Sequence, residues 1–131
     1  MTVGPHPFFN DLEIPQLSMS NFDDVMNEQF NLLVAVFFWG HNCPNCDIAK
    51  RSLHQEKGAV RALGLTWFHV NTYEDFDLGT KFGLHGIPTF LFFYRGKRLG
   101  KISPFPGIDA FLEAVHTLCQ QFPEGLRSDR T

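Results

Sequence analysis

Residues 31–46 read NLLVAVFFWGHNCPNC, and two features of that stretch decide the fold. The first is the unbroken apolar, β-branched and aromatic run over 31–39. A half-buried strand alternates apolar with polar residues, so a run without alternation predicts a strand covered on both faces, as in the middle of a parallel sheet. The second is the pair Cys43-Pro44-Asn45-Cys46. Proline suits the first turn of a helix, where its missing N–H has no partner to lose, so a helix is predicted to open at Cys43-Pro44. Its apolar positions Ile48, Ala49, Leu53, Val60 and Leu63 carry it to about 63, with a kink or break at Gly58.

Upstream, Ser20-Asn21-Phe22-Asp23 has the form of an N-cap with an acid three residues on, and Phe22, Val25, Met26 and Phe30 follow at mostly helical spacing. This predicts a helix over 20–29. Residues 12–17 make a short edge strand interrupted by Pro15, and residues 1–11 read as a flexible Pro-rich arm. Downstream, 65–71 is a strand and 74–82 a short helix. Residues 89–94 and 98–103 form a hairpin around a turn containing Gly96. The last helix has Ile108, Phe111, Leu112, Val115, Leu118, Cys119 and Phe122 on one face, and 123–131 is a flexible tail. The order β-α-β-α-β-α-β-β-α predicts one α/β domain over 12–122, with a central mixed sheet and helices on both faces.

Composition excludes several classes. At 131 residues the chain can bury a core without metals or disulfide staples, which sets aside a small cystine-stapled secreted scaffold. A formal charge of −3 leaves no basic footprint for nucleic acid. The longest apolar run, 32–40, is about half of what a bilayer span needs, so no membrane is expected. The first twenty residues lack Lys and Arg, carry Asp11 and Glu13 and are broken by Pro5, Pro7 and Pro15, which is unlike a signal peptide; a cytoplasmic location is expected. With Cys119 alone and distant, the odd cysteine count argues against a structural disulfide set.

The CxxC carries the chemistry. Structural zinc needs four ligands; no second pair exists, and His41 would leave the metal one ligand short, so no metal is expected. At a helix N-terminus, free N–H groups and the positive end of the macrodipole stabilise a thiolate. Cys43 at the cap is then the exposed nucleophile. Cys46, one turn inside, is shielded and keeps the higher pKa, and that asymmetry suits dithiol exchange.

The chain resembles the thioredoxin family in VAVFFWG leading into Cys43-Pro44-Asn45-Cys46, and in KFGLHGIPTFLFFYRGKRLGKI over 81–102, where Gly86-Ile87-Pro88-Thr89 matches the family's cis-proline loop. The resemblance implies the thioredoxin fold over 12–122, a cis Ile87-Pro88 bond beside Cys43, and a substrate strand paired with the backbone before Pro88. It also implies an active-site loop of Trp39, His41, Asn42, Pro44 and Asn45, with Trp39 packed beneath. Where typical members have a buried Asp six residues before the first cysteine, paired with a Lys on the next strand, this chain has Phe37 and His69. His69 is thus a candidate proton acceptor for Cys46, its bland alternative being a packed core imidazole. His41 either favours the Cys43 thiolate or is a solvated loop residue. Cys119 reads as packing.

The expected function is thiol–disulfide exchange on disulfide-containing proteins by a monomer without a cofactor, recycled by a thioredoxin reductase or by glutathione. Two alternatives are a thioredoxin-fold binding or chaperone-like module with weak redox turnover, and a glutathione-linked glutaredoxin-type enzyme suggested by the Cys-Pro-x-Cys order.

Overall fold

A computed structural model describes residues 7–127. Its centre is β1 (Val34–Trp39), whose six residues are all buried, as an unalternating run requires. β1 pairs in parallel with β2 (Thr66–Asn71) and antiparallel with β3 (Thr89–Tyr94), and β3 pairs antiparallel with β4 (Lys97–Ile102). The order is β2-β1-β3-β4, a mixed sheet. The β3–β4 hairpin turns on Arg95 and Gly96, both with positive φ (52° and 75°), the primed turn whose twist matches that of the strands it joins.

The alternating faces of β1 feed two cores. Ala35, Phe37 and Trp39 pack with residues of α1 (Pro7–Asp11), α3 (Pro44–Gln55), α4 (Lys57–Ala62) and α6 (Ile108–Gln121). Val34, Val36 and Phe38 pack with Phe22 of α2 (Phe22–Glu28) and Leu78 of α5 (Phe76–Lys81). Helices therefore cover both faces, and the fold is α/β.

Four expectations need correction. The strand over 12–17 shrinks to a single parallel bridge between Gln16 and His69, flanked by hydrogen bonds from Leu17 N–H to the His69 carbonyl (2.8 Å) and from His69 N–H to the Pro15 carbonyl (3.0 Å). Pro15 has no N–H to extend the ladder. The long helix breaks at Glu56, two residues before Gly58, into α3 and α4.

Within the expected arm 1–11, residues 7–11 form α1, with Phe8 and Phe9 buried; residues 1–6 lie outside the described residues. Asp11 holds α1 in place, its carboxylate 2.7 Å from His54 Nε2 and 3.5 Å from Lys57 Nζ, and its carbonyl accepting from Arg61 at 2.8 Å. Within the expected tail, Pro123–Gly125 makes a 3-10 turn whose Gly125 carbonyl accepts the Leu33 N–H at 2.7 Å; residues 128–131 lie outside the described residues.

Candidate active site

The site lies where β1 runs into α3. Asn42 takes a positive φ of 54°, a conformation asparagine tolerates better than most residues, and turns the chain into the helix. Cys43 is the N-cap, and its Sγ accepts the Cys46 N–H at 3.1 Å. Pro44 fills the first helical position. Cys43 and Cys46 are joined as a disulfide, with Cα atoms 5.2 Å apart. Cys46 is wholly buried, whereas Cys43 is half-buried, so of the two cysteines only the cap residue meets solvent. Asn45 Oδ1 accepts the Phe105 N–H at 3.0 Å and ties the loop to the segment after β4.

The Ile87-Pro88 bond is cis, and the Ile87 carbonyl oxygen lies 3.8 Å from Cys43 Sγ. Polar contacts brace this second loop: Thr89 Oγ1 lies 2.7 Å from the Gly86 carbonyl oxygen and 2.9 Å from Ser103 Oγ, which donates to the Pro88 carbonyl at 3.0 Å. A Cβ on Gly40 would stand 2.7 Å from Ile87 Cδ1 and 2.8 Å from Tyr73 Cε1, so glycine there lets three segments converge beside the cysteines. His41 sits edge-on between the rings of Trp39 and Tyr73, with centroids at 5.4 and 5.3 Å, and its Nε2 is 3.4 Å from Asn71 Nδ2. Tyr73 is 60% exposed, an aromatic ring on the β2–α5 side of the site.

Beneath the loop, Trp39 is buried and its Nε1–H donates to His69 Nδ1 at 3.0 Å. His69 faces Phe37 across the β1–β2 ladder and stacks on Phe9 at 3.8 Å between centroids. Burial, with a smaller contribution from the nearby Lys50 charge, lowers its pKa to about 4. His69 is therefore neutral at ordinary pH, and its one lone pair is already engaged by the indole. A proton acceptor for Cys46 needs that lone pair free, so the geometry favours the packed-imidazole alternative. Phe37 is fully buried and stacks on Phe90, centroids 4.7 Å apart.

Sequence reasoning missed Lys50. It lies on the inward face of α3 with Cys46, Ala49 and Leu53, is 6% exposed, and holds its Nζ 3.6 Å from the Trp39 ring centroid. The spacing Cys46, Ala49, Lys50, Leu53 was visible as a core stripe, but lysine is rarely buried without a partner. Cys119 is buried on the inner stripe of α6, remote in sequence from the pair, and takes no part in the disulfide. No helix among the described residues is long and apolar enough to cross a membrane.

The family model described as Thioredoxin matches residues 13–115. Among solved structures, the chain is similar to the thioredoxin Mala s 13 of Malassezia sympodialis, at 20% identity and a TM-score of 0.65, over 80% of this chain and 89% of that one. It is also similar to the reduced thioredoxin pre-protein of Schistosoma mansoni, at 18% identity and a TM-score of 0.67, over 83% and 97% of the two chains. No curated protein matches the sequence.

Proposed function

The chain belongs to the thioredoxin family of thiol–disulfide oxidoreductases, and from that premise we propose that it reduces disulfides in protein substrates through a Cys43/Cys46 cycle. The observation that carries the reading is the placement of the Cys43 sulfur, at the α3 cap on a half-buried residue, accepting a backbone N–H and lying 3.8 Å from the Ile87 carbonyl oxygen. A helix N-terminus favours the thiolate. The carbonyl before Pro88 is set to pair with an extended substrate backbone, a mode that tolerates varied side chains.

In this cycle the Cys43 thiolate attacks one sulfur of a substrate disulfide, forming a mixed disulfide and releasing the other substrate sulfur as a thiolate. Cys46 then loses its proton to water and attacks Cys43 Sγ. The Cys43–Cys46 bond forms, the second substrate thiolate leaves, and two electrons have passed to the substrate. Re-reduction by a thioredoxin reductase or by glutathione closes the cycle, with the monomer requiring no cofactor. A reducing cytoplasm suits the direction.

Insulin reduction by dithiothreitol tests the reading. Wild type is expected to accelerate it and Cys43→Ser to abolish the acceleration, while Cys46→Ser should accumulate a trapped mixed disulfide. Wild type indistinguishable from background would overturn the protein-disulfide reductase reading.

A further inference from the structure

Four residues make the inward stripe of α3: Cys46, Ala49, Lys50 and Leu53. Three are what a core position calls for, and the fourth is a cation. Among the described residues no carboxylate lies within 4 Å of the Lys50 ammonium, which rests on the Trp39 face with Phe9 at 5.6 Å from its Nζ. The faces turned towards it bring little compensating charge. α1 contributes Phe9, β1 contributes Trp39, and β2 contributes His69, which burial keeps neutral. Asp47, on its own helix, is exposed, and its attraction only partly offsets the effect of burial on Lys50.

Burying a cation without a carboxylate costs stability that a leucine or methionine of similar volume would not, and cation–π contact recovers only part of it. Such local conflict is characteristic of a functional position. Its location gives the function. Lys50 follows Cys46 by one helical turn on the same face, and helical side chains lean back towards the N-terminus, so its stem runs over the turn that carries Cys46. Trp39, on which Nζ sits, is the last residue of β1 before the active-site loop.

We propose that Lys50 is a positioning residue for charge: a buried cation beneath the disulfide that favours the reduced, thiolate-bearing state of the Cys43–Cys46 pair. The inference rests on the oxidoreductase reading above and adds what sets the balance of that reaction. When two glutathione thiols reduce the pair, the Cys43–Cys46 bond breaks, one glutathione disulfide forms, and the protein is left with one thiol and one thiolate, a proton going to water. The negative charge that appears is the quantity Lys50 stabilises. The pair then becomes more oxidising than it would be over an uncharged core, because stabilising the reduced form raises the reduction potential.

The test is equilibration of wild type, Lys50→Met, Lys50→Gln and Lys50→Arg in glutathione redox buffers, with the oxidised fraction read by thiol trapping and the thiolate followed by its absorbance near 240 nm. Lys50→Met and Lys50→Gln are expected to shift the equilibrium about tenfold towards the disulfide, roughly 30 mV. Both should lose thiolate absorbance at neutral pH, and Lys50→Arg should stay near wild type. Lys50→Met should melt no lower than wild type, and Lys50→Gln supplies the neutral comparison should the methionine fail to fold. A purely structural lysine would move the melting temperature and leave the equilibrium constant alone. Wild-type exchange with unshifted neutral variants overturns the role of Lys50 only; a wild type whose cysteines never exchange overturns the oxidoreductase reading together with it.

Discussion

The indole N–H of Trp39 donates to Nδ1 of His69 over 3.0 Å, from the end of one central strand to the middle of its neighbour. This fixes His69 as the tautomer with its proton on Nε2 and fixes the plane of the ring on which Lys50 rests. Trp39→Phe keeps an aromatic face but leaves the buried His69 nitrogen without its donor. It should lower unfolding free energy in urea by about 1–3 kcal/mol, and an unchanged denaturation midpoint would show the bond to be dispensable.

The same imidazole makes stability pH-dependent. Its folded pKa of about 4 lies below the unfolded value near 6.5, so between those limits the unfolded chain binds the extra proton. The stabilisation from neutral His69 is complete above pH 6.5 and is lost as pH falls towards 4, amounting to about 3 kcal/mol. Melting curves from pH 7 to pH 4 should show the decline. His69→Asn, which retains an acceptor for Trp39 but cannot titrate, should flatten it.

Phe9 covers His69 with its ring at 3.8 Å and lies in contact with the Lys50 cation. Truncation in Phe9→Ala should cost about 3–5 kcal/mol, the range for large buried aromatics. Because it also admits water, it should move the His69 titration upward towards 6.5 when followed by NMR. A His69 titration that stays in place would mean that the strand alone provides the desolvation.

Gly40 faces Ile87 and Tyr73 with no room for a methyl group. Gly40→Ala should displace the Ile87 carbonyl from Cys43 and slow insulin reduction about tenfold or more, since small misplacements at a reacting centre carry large rate penalties. The accompanying loss of stability should be modest, because Ile87 Cδ1 is the end of a flexible side chain. Full activity in the alanine variant would show that the spacing of the two loops is not limiting.

The sheet and the cysteine-bearing helix were legible because their signals are local. β1 is an apolar run too long and too uniform for a half-exposed strand, Pro44 marks the start of α3, and α6 repeats its apolar residues at helical period. What escaped is what depends on distant partners. Five residues of α1 are too few to display a period, and Phe8 and Phe9 become core only through contact with β1. Lys50 looks like any surface lysine until Trp39, eleven residues earlier, is folded beneath it. His69 was singled out from its strand position, but its role depends on which neighbour claims its lone pair.

The segment shared with the family runs from 13 to 115, yet Phe8 and Phe9 lie before it, and the Gly125 carbonyl that takes the Leu33 N–H lies after it. A fragment trimmed to the inherited segment would keep Cys43, Cys46 and Pro88, the residues of the proposed cycle. It would also lose the wall of the chamber around Lys50 and the latch at the mouth of β1. For this protein ancestry and mechanics draw the domain border at different residues, and an excised domain should follow the mechanical one.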